Sequence, residues 1–264
     1  MYAHLPEPRT RTFYCHALVT LEAARVPALV GGGYALEHYT GIVRPKRDLD
    51  VFLRRADCGR ALAVLAAAGY RSDLAFPHWL AKVYCDDDYI DLIYSSGNGL
   101  AEVDDEWFEH ARQAAVLDLR VELCPPEELI WSHAFVMEHE RYDGAEVAHL
   151  LRACGPSLDW RRLLRRFGAH WRVLLSHLVL FGFVYPMEGC AIPEAVTEEL
   201  LRRLEQERSS PPPADRLCQG SLLSRAQYRV DVDRWGYRDA RLPPTGRMTP
   251  EEIAGWTAAI PPGV

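Results

Sequence analysis

The sequence predicts an α+β fold: a small mixed β-sheet with flanking helices over residues 1–124, a helical domain over 125–208, and a Pro-rich linker and tail over 209–264. Three observations predict it. Up to Leu123, short apolar runs stopped by glycines or acidic turns alternate with segments of helical period. From Pro125 onward the strand signal disappears and apolar residues recur at helical spacing alone. Ser209-Ser210-Pro211-Pro212-Pro213 then breaks the pattern, because consecutive prolines favour an extended chain and lack amide donors. With 264 residues and 48% hydrophobic content the chain can bury a sizeable core, and two domains are expected.

The elements follow in order. Thr10 to Arg25 carries Phe13, Ala17, Leu18 and Leu21 on one helical face and ends before Pro27. Ala28-Leu29-Val30 is a short strand stopped by Gly31-Gly32-Gly33, and Tyr34 to Tyr39 restarts as a helix. Asp48 to Leu53 alternates as a strand does, and Asp57 to Ala68 is an Ala/Leu-rich helix closed by Gly69. Leu80 to Cys85 and Tyr89 to Tyr94 form a hairpin across Asp86-Asp87-Asp88. A helix over Asp104 to Gln113 and a strand over Leu119 to Leu123 complete the first half. In the second, helices are predicted at Glu127 to His139, Asp143 to Ala153, Asp159 to Phe167, Trp171 to Phe183 and Pro193 to Glu207. The tail, with the Tyr, Trp and Arg residues of Ser224 to Arg241, carries no derivable role.

Composition excludes several classes of function. The 37 acidic against 30 basic residues give a formal charge of −7, which argues against sequence-independent nucleic-acid binding by the whole surface, so any RNA contact is local. The seven cysteines lie far apart without a Cys-x-x-Cys, as buried thiols in a reducing compartment would. Met1 is followed by a Pro- and Arg-containing stretch, unlike a secretory signal. The longest apolar stretch, Val173 to Val184, is interrupted by Ser176 and His177 and is short of a bilayer span. A soluble, cytoplasmic protein with no membrane partner is expected, and nothing in the sequence sets its oligomeric state.

Chemistry concentrates in three places. Asp48 and Asp50 stand two apart on a predicted strand, so both carboxylates leave one face while Leu49 and Val51 leave the other. Like charges that close repel unless a cation lies between them, and Mg²⁺ favours such oxygen ligands, with substrate phosphates completing its shell. Two other Asp-x-Asp pairs, Asp86/Asp88 and Asp231/Asp233, are assigned to solvated turns. The setting singles out the first pair. Asp91 is the lone charge of an otherwise apolar strand downstream, and a buried lone carboxylate calls for a partner such as a metal. Upstream, Gly31, Gly32 and Gly33 let backbone amides approach a phosphate. The plainer alternatives are a tight glycine turn and ion pairs from Asp48 to Arg44, Lys46 or Arg47.

Val30-Gly31-Gly32-Gly33-Tyr34-Ala35-Leu36, then Gly41 and Arg44, then Arg47-Asp48-Leu49-Asp50-Val51-Phe52 resembles the signature of the DNA polymerase β-like nucleotidyltransferase superfamily. The style is that of its small bacterial members, the antibiotic nucleotidyltransferases and the abortive-infection (toxin–antitoxin) toxins. The resemblance is specific over Val30 to Leu53, fair to Tyr94 and thin afterwards. It implies a small mixed sheet with Asp48 and Asp50 on Mg²⁺ (or Mn²⁺), Asp91 as third carboxylate, metal ligand or base, and Gly31, Gly32, Gly33, Arg44 and Arg47 on the nucleotide. It further implies transfer of a nucleoside monophosphate from a nucleoside triphosphate such as ATP to a hydroxyl of a small molecule or tRNA. A block from Pro125-Pro126-Glu127-Glu128-Leu129 through Glu140-Arg141-Tyr142-Asp143 to Leu151 is similar to the helical region of those relatives, where a lysine often follows the Pro-Glu turn; this chain has His133.

Other features are set aside. Arg161, Arg162, Arg165 and Arg166 recur at helical spacing and read as a solvated face rather than a basic strip for tRNA or triphosphate. His133 with His139 and His170 with His177 lack His-x-x-x-His spacing, so zinc is not expected. No serine or cysteine has the context of an activated nucleophile, and the glycine triplet has neither dinucleotide nor Walker spacing. The competing class is a non-catalytic nucleotide-sensing or partner-binding protein of the same fold.

Overall fold

The structure, a computed structural model, describes residues 6–211 and 215–259. The opening stretch from Met1 to Leu5, and Pro212 and Pro213 of the linker, lie outside the described residues. The chain forms two compact units that divide between Pro125 and Pro126.

The first unit runs α1 (Pro8–Ala23), β1 (Leu29–Val30), α2 (Gly32–Thr40), β2 (Leu49–Phe52), α3 (Arg55–Ala67), β3 (Arg71–Phe76), β4 (Leu80–Cys85), β5 (Asp88–Ile93), α4 (Asp105–Glu109), β6 (Arg112–Val116) and β7 (Leu119–Leu123). Its strands make one mixed seven-stranded sheet in the order β3-β4-β5-β2-β1-β7-β6. The pairs β2/β5 and β1/β7 are parallel and the rest antiparallel. Alternation decides which face each side chain takes: Leu49 and Val51 of β2 and Ile90 and Leu92 of β5 are buried, while Asp50 and Asp91 between them stay partly exposed. Each such aliphatic burial contributes roughly 2 kcal/mol, which locks the register, since a one-residue slip would drive the aspartates into the core. Phe13, Tyr14, Ala17, Leu18 and Leu21 of α1 and Cys58, Ala61 and Leu65 of α3 are core, and fully buried Trp107 of α4 stacks on Phe52 at 5.3 Å between centroids.

Two expectations are corrected here. Residues 71–76, given no element by the sequence, form the edge strand β3; four of its six residues are exposed, so no alternation marks it. The helix expected over Asp104 to Gln113 ends at Glu109, capped by Asp104, and residues 112–116 become β6. Leu117 and Asp118, at φ +52° and +64°, turn the chain into a tight hairpin with β7, and that ladder overrides local helical preference.

The second unit contains α5 (Pro126–His133), α6 (Gly144–Cys154), α7 (Trp160–Phe167), α8 (Trp171–Val184), α9 (Glu194–Arg208), β8 (Leu217–Cys218), α10 (Arg229–Asp233), β9 (Arg238–Asp239) and α11 (Pro250–Ala258). The helix predicted to His139 stops at His133, whose Nδ1 lies 2.8 Å from Asp143 Oδ2, and a Met137–Tyr142 bridge follows. The arginine strip is also corrected. Arg162 is buried against Glu127 (2.5 Å) and Glu128 (3.2 Å), and Arg166 lies 3.1 Å from Glu128, so half the strip is an internal charge cluster. The helical run Trp160–Val184 has the length and composition of a membrane span, longer than the stretch judged from sequence. Its inner face is core, with Leu174, Leu178 and Phe181 buried and His177 hydrogen-bonded to the Ala134 carbonyl at 2.9 Å.

Strands do occur after Pro125, as the parallel two-residue pair β8/β9. Asp231 and Asp233 belong to α10 rather than to a turn. The tail is anchored: Ser221 donates to Asp239 (2.7 Å), Arg241 pairs with Asp239 (2.7 Å), and Ser224 donates to Glu138 (2.6 Å).

Candidate active site

The sheet lines up the polar residues in one row. Val30 pairs with Val51, and the Gly31 amide donates to the Asp50 carbonyl at 3.0 Å, so the glycine turn opens beside Asp50. On its other side Asp50 is in register with Asp91, and Asp91 in turn with Lys82 of β4. Asp48, two residues before Asp50, emerges on the same face. As a result Asp48, Asp50 and Asp91 each place a carboxylate oxygen within 4.8 Å of the others.

Gly32 begins α2 at φ +49°, and a Cβ there would stand 1.7 Å from Asp50 Oδ2. Only glycine permits that approach together with that backbone. The first amides of α2 have no carbonyl a turn earlier to bond, and they begin next to the carboxylates, a polarity that suits an anion bridged to the acids by a cation.

Lys82 Nζ sits 2.6 Å from Asp91 Oδ1 and 4.0 Å from the Tyr89 ring centroid. Burial pushes the Asp91 carboxyl up, as does Asp48, while the Lys82 hydrogen bond and charge pull it back; the net direction is upward. Burial raises the Tyr89 phenol, and the nearby Asp48 and Asp91 charges raise it further. Tyr34, behind the glycine turn, is pushed up to about 12 by burial and by Glu37, and its hydroxyl is buried without a hydrogen-bond partner.

An all-oxygen set of three clustered carboxylates fits a hard divalent cation, because their mutual repulsion falls when such an ion is shared. Of the ion pairs weighed for Asp48, that with Lys46 takes another form: Lys46 bonds Glu37 and lies 4.9 Å from the Tyr34 ring centroid. Arg44 and Arg47 are exposed on the loop 41–48 that leads into Asp48.

No protein-family model matches the chain, and no curated protein matches it. Solved structures do. The solution structure of the antibiotic-resistance factor ANT(2'')-Ia is 18% identical, with a TM-score of 0.46 over 65% of this chain and 98% of that one. The same enzyme in complex with adenylyl-2''-tobramycin is 17% identical, with a TM-score of 0.43 over 67% and 99%. The lincomycin-bound lincosamide antibiotic adenylyltransferase LnuA is 15% identical, with a TM-score of 0.40 over 56% and 97%. At these identities the functional reading rests on the site itself.

Sequence reasoning missed Lys82 and Tyr89 as parts of this site. The signal for Lys82 was present: in a hairpin turning at Asp86 and Asp87, position 82 falls opposite position 91. His133, in the second unit, bonds Asp143, which Arg141 also contacts at 2.7 Å. Burial raises the Asp143 carboxyl, but those two partners outweigh it and leave a pKa of about 2.

Proposed function

We propose that this chain is a metal-dependent nucleotidyltransferase of the cytoplasm that moves a nucleoside monophosphate from a nucleoside triphosphate to a hydroxyl of a small molecule. The observation that carries the reading is the convergence of Asp48, Asp50 and Asp91 within 4.8 Å, beside the Gly31-Gly32-Gly33 turn at the start of α2. Asp48 and Asp50 would hold Mg²⁺ (or Mn²⁺), with Asp91 as third carboxylate. When bound, the metal supplies charge neutralisation of the triphosphate and polarisation at phosphorus.

The chain's own groups do the rest. The α2 amides and the glycine turn cradle phosphate oxygens, and Arg44 and Arg47 reach from their loop towards the outer phosphates. Lys82 occupies Asp91 Oδ1, so Oδ2 is the atom offered to the acceptor hydroxyl's proton. That O–H bond breaks as the acceptor oxygen bonds the α-phosphorus in line, and pyrophosphate leaves with the electrons of the cleaved P–O bond.

Two observations favour a small acceptor over tRNA. The net charge is −7, and the burial of Arg162 and Arg166 leaves only Arg161 and Arg165 of the four-arginine run exposed to an RNA acceptor. The test is incubation with Mg²⁺ and each α-labelled nucleoside triphosphate, offering hydroxylated antibiotics, a metabolite extract and total tRNA in turn. Label should move to a small acceptor with wild-type protein and not with Asp48→Asn/Asp50→Asn, which should stay folded. Nucleotide binding without transfer to any acceptor would shift the assignment to nucleotide sensing.

A further inference from the structure

We propose that Lys82 is a built-in counter-charge to the carboxylate triad, a positioning residue that weakens the triad's hold on a free divalent ion and strengthens its hold on a nucleoside triphosphate. The inference rests on the triad being a metal and nucleotide site.

Lys82 is fixed rather than wandering. It stands in register with Asp91 across β4 and β5, its Nζ is 2.6 Å from Asp91 Oδ1, and the two side chains are 24% and 14% exposed. The ammonium also lies 4.0 Å from the ring centroid of Tyr89, two residues before Asp91 on β5. The lysine is thus braced by a member of the triad and by that member's neighbour on the same strand. Against the three negative charges of Asp48, Asp50 and Asp91 it sets one positive charge at hydrogen-bond distance. In a partly buried site that charge is screened far less than on an open surface.

Its two consequences have opposite sign. An ammonium on Asp91 repels a divalent cation and occupies Asp91 Oδ1. The same ammonium attracts the polyanionic tail of a nucleotide. The site therefore binds metal firmly only when phosphate oxygens arrive to complete the shell, rather than holding an ion permanently. A variant that merely damaged the sheet would weaken both ligands together, so the crossed pattern distinguishes a charge effect from a structural one.

The experiment compares wild type, Lys82→Met, which keeps the aliphatic stem, and Lys82→Arg. Mn²⁺ binding without nucleotide is read by electron paramagnetic resonance, and binding of a non-hydrolysable ATP analogue at saturating Mn²⁺ by calorimetry. In Lys82→Met, Mn²⁺ alone should bind at least about tenfold tighter and the analogue at least about tenfold weaker, with Lys82→Arg near wild type on both. Loss of both affinities together, or no change in either in folded Lys82→Met, overturns the proposal. Failure of the underlying reading shows separately, as wild type that binds neither Mn²⁺ nor the analogue with Mn²⁺, or as analogue binding that is undiminished in Asp48→Asn/Asp50→Asn.

Discussion

Replacing Gly32 by alanine separates the backbone demand at the glycine turn from the demand of the site. Gly32 sits at φ +49°, where a side chain costs roughly 1–2 kcal/mol. The new Cβ would also meet Asp50 Oδ2 at 1.7 Å, Cγ at 2.6 Å and Cβ at 3.0 Å. The closest atoms belong to the end of a short side chain, so the clash is relieved by swinging the carboxylate away at little further cost in stability. The cost falls on function, since Asp50 leaves the cluster in which three oxygens lie within 4.8 Å. Gly41 is the matched control: its φ is +70° and a Cβ there meets nothing within 4 Å. Urea unfolding should show both variants about 1–2 kcal/mol less stable than wild type. Mn²⁺ affinity should fall at least about tenfold in Gly32→Ala and stay unchanged in Gly41→Ala. A folded Gly32→Ala protein that binds Mn²⁺ as wild type does would refute the idea that this close approach fixes the Asp50 carboxylate.

The second unit supplies two further tests. Asp143 is held at about 2, below its ordinary 3.8, so its contribution to folding is present above about pH 4 and is lost as pH falls through 2. Acid unfolding should therefore show about 2 kcal/mol lost over that range, and Asp143→Asn should flatten that part of the curve; an identical pH profile in the variant would exclude Asp143 as the source. Arg162→Met leaves Glu127 and Glu128, 2% and 0% exposed, without their shared partner, and should cost about 3–5 kcal/mol in chemical denaturation. Burial pushes Glu128 up to about 7 against the pull of Arg162 and Arg166. Without Arg162, which lowers it, the carboxyl lies higher still, so the deficit should shrink as pH falls towards about 7; a pH-independent deficit would contradict that placement.

Much of the candidate site was legible because its signals are local. A strand-to-helix turn at Gly31-Gly32-Gly33, two aspartates at the strand period and one charge in an apolar strand need only neighbouring residues to be read. The same holds for the hairpin of β4 and β5 and for most helices of the second unit. Elements whose side chains carry no periodic contrast were missed. The exposed edge strand β3 lacks it, and β6 follows helix-like residues and is set by pairing with β7.

Composition could not show that Arg162 and Arg166 turn inward, because their helical spacing is the same whether water or Glu128 faces them. By itself, then, the sequence determined which residues carry the charge and on which face of each strand they stand. Only the tertiary structure decided their assembly: the parallel pairing of β2 with β5 puts Asp91 beside Asp50, and the antiparallel pairing of β4 with β5 sets Lys82 against Asp91. Strand order is chosen by burial of the whole sheet, a sum over distant residues that no local pattern contains.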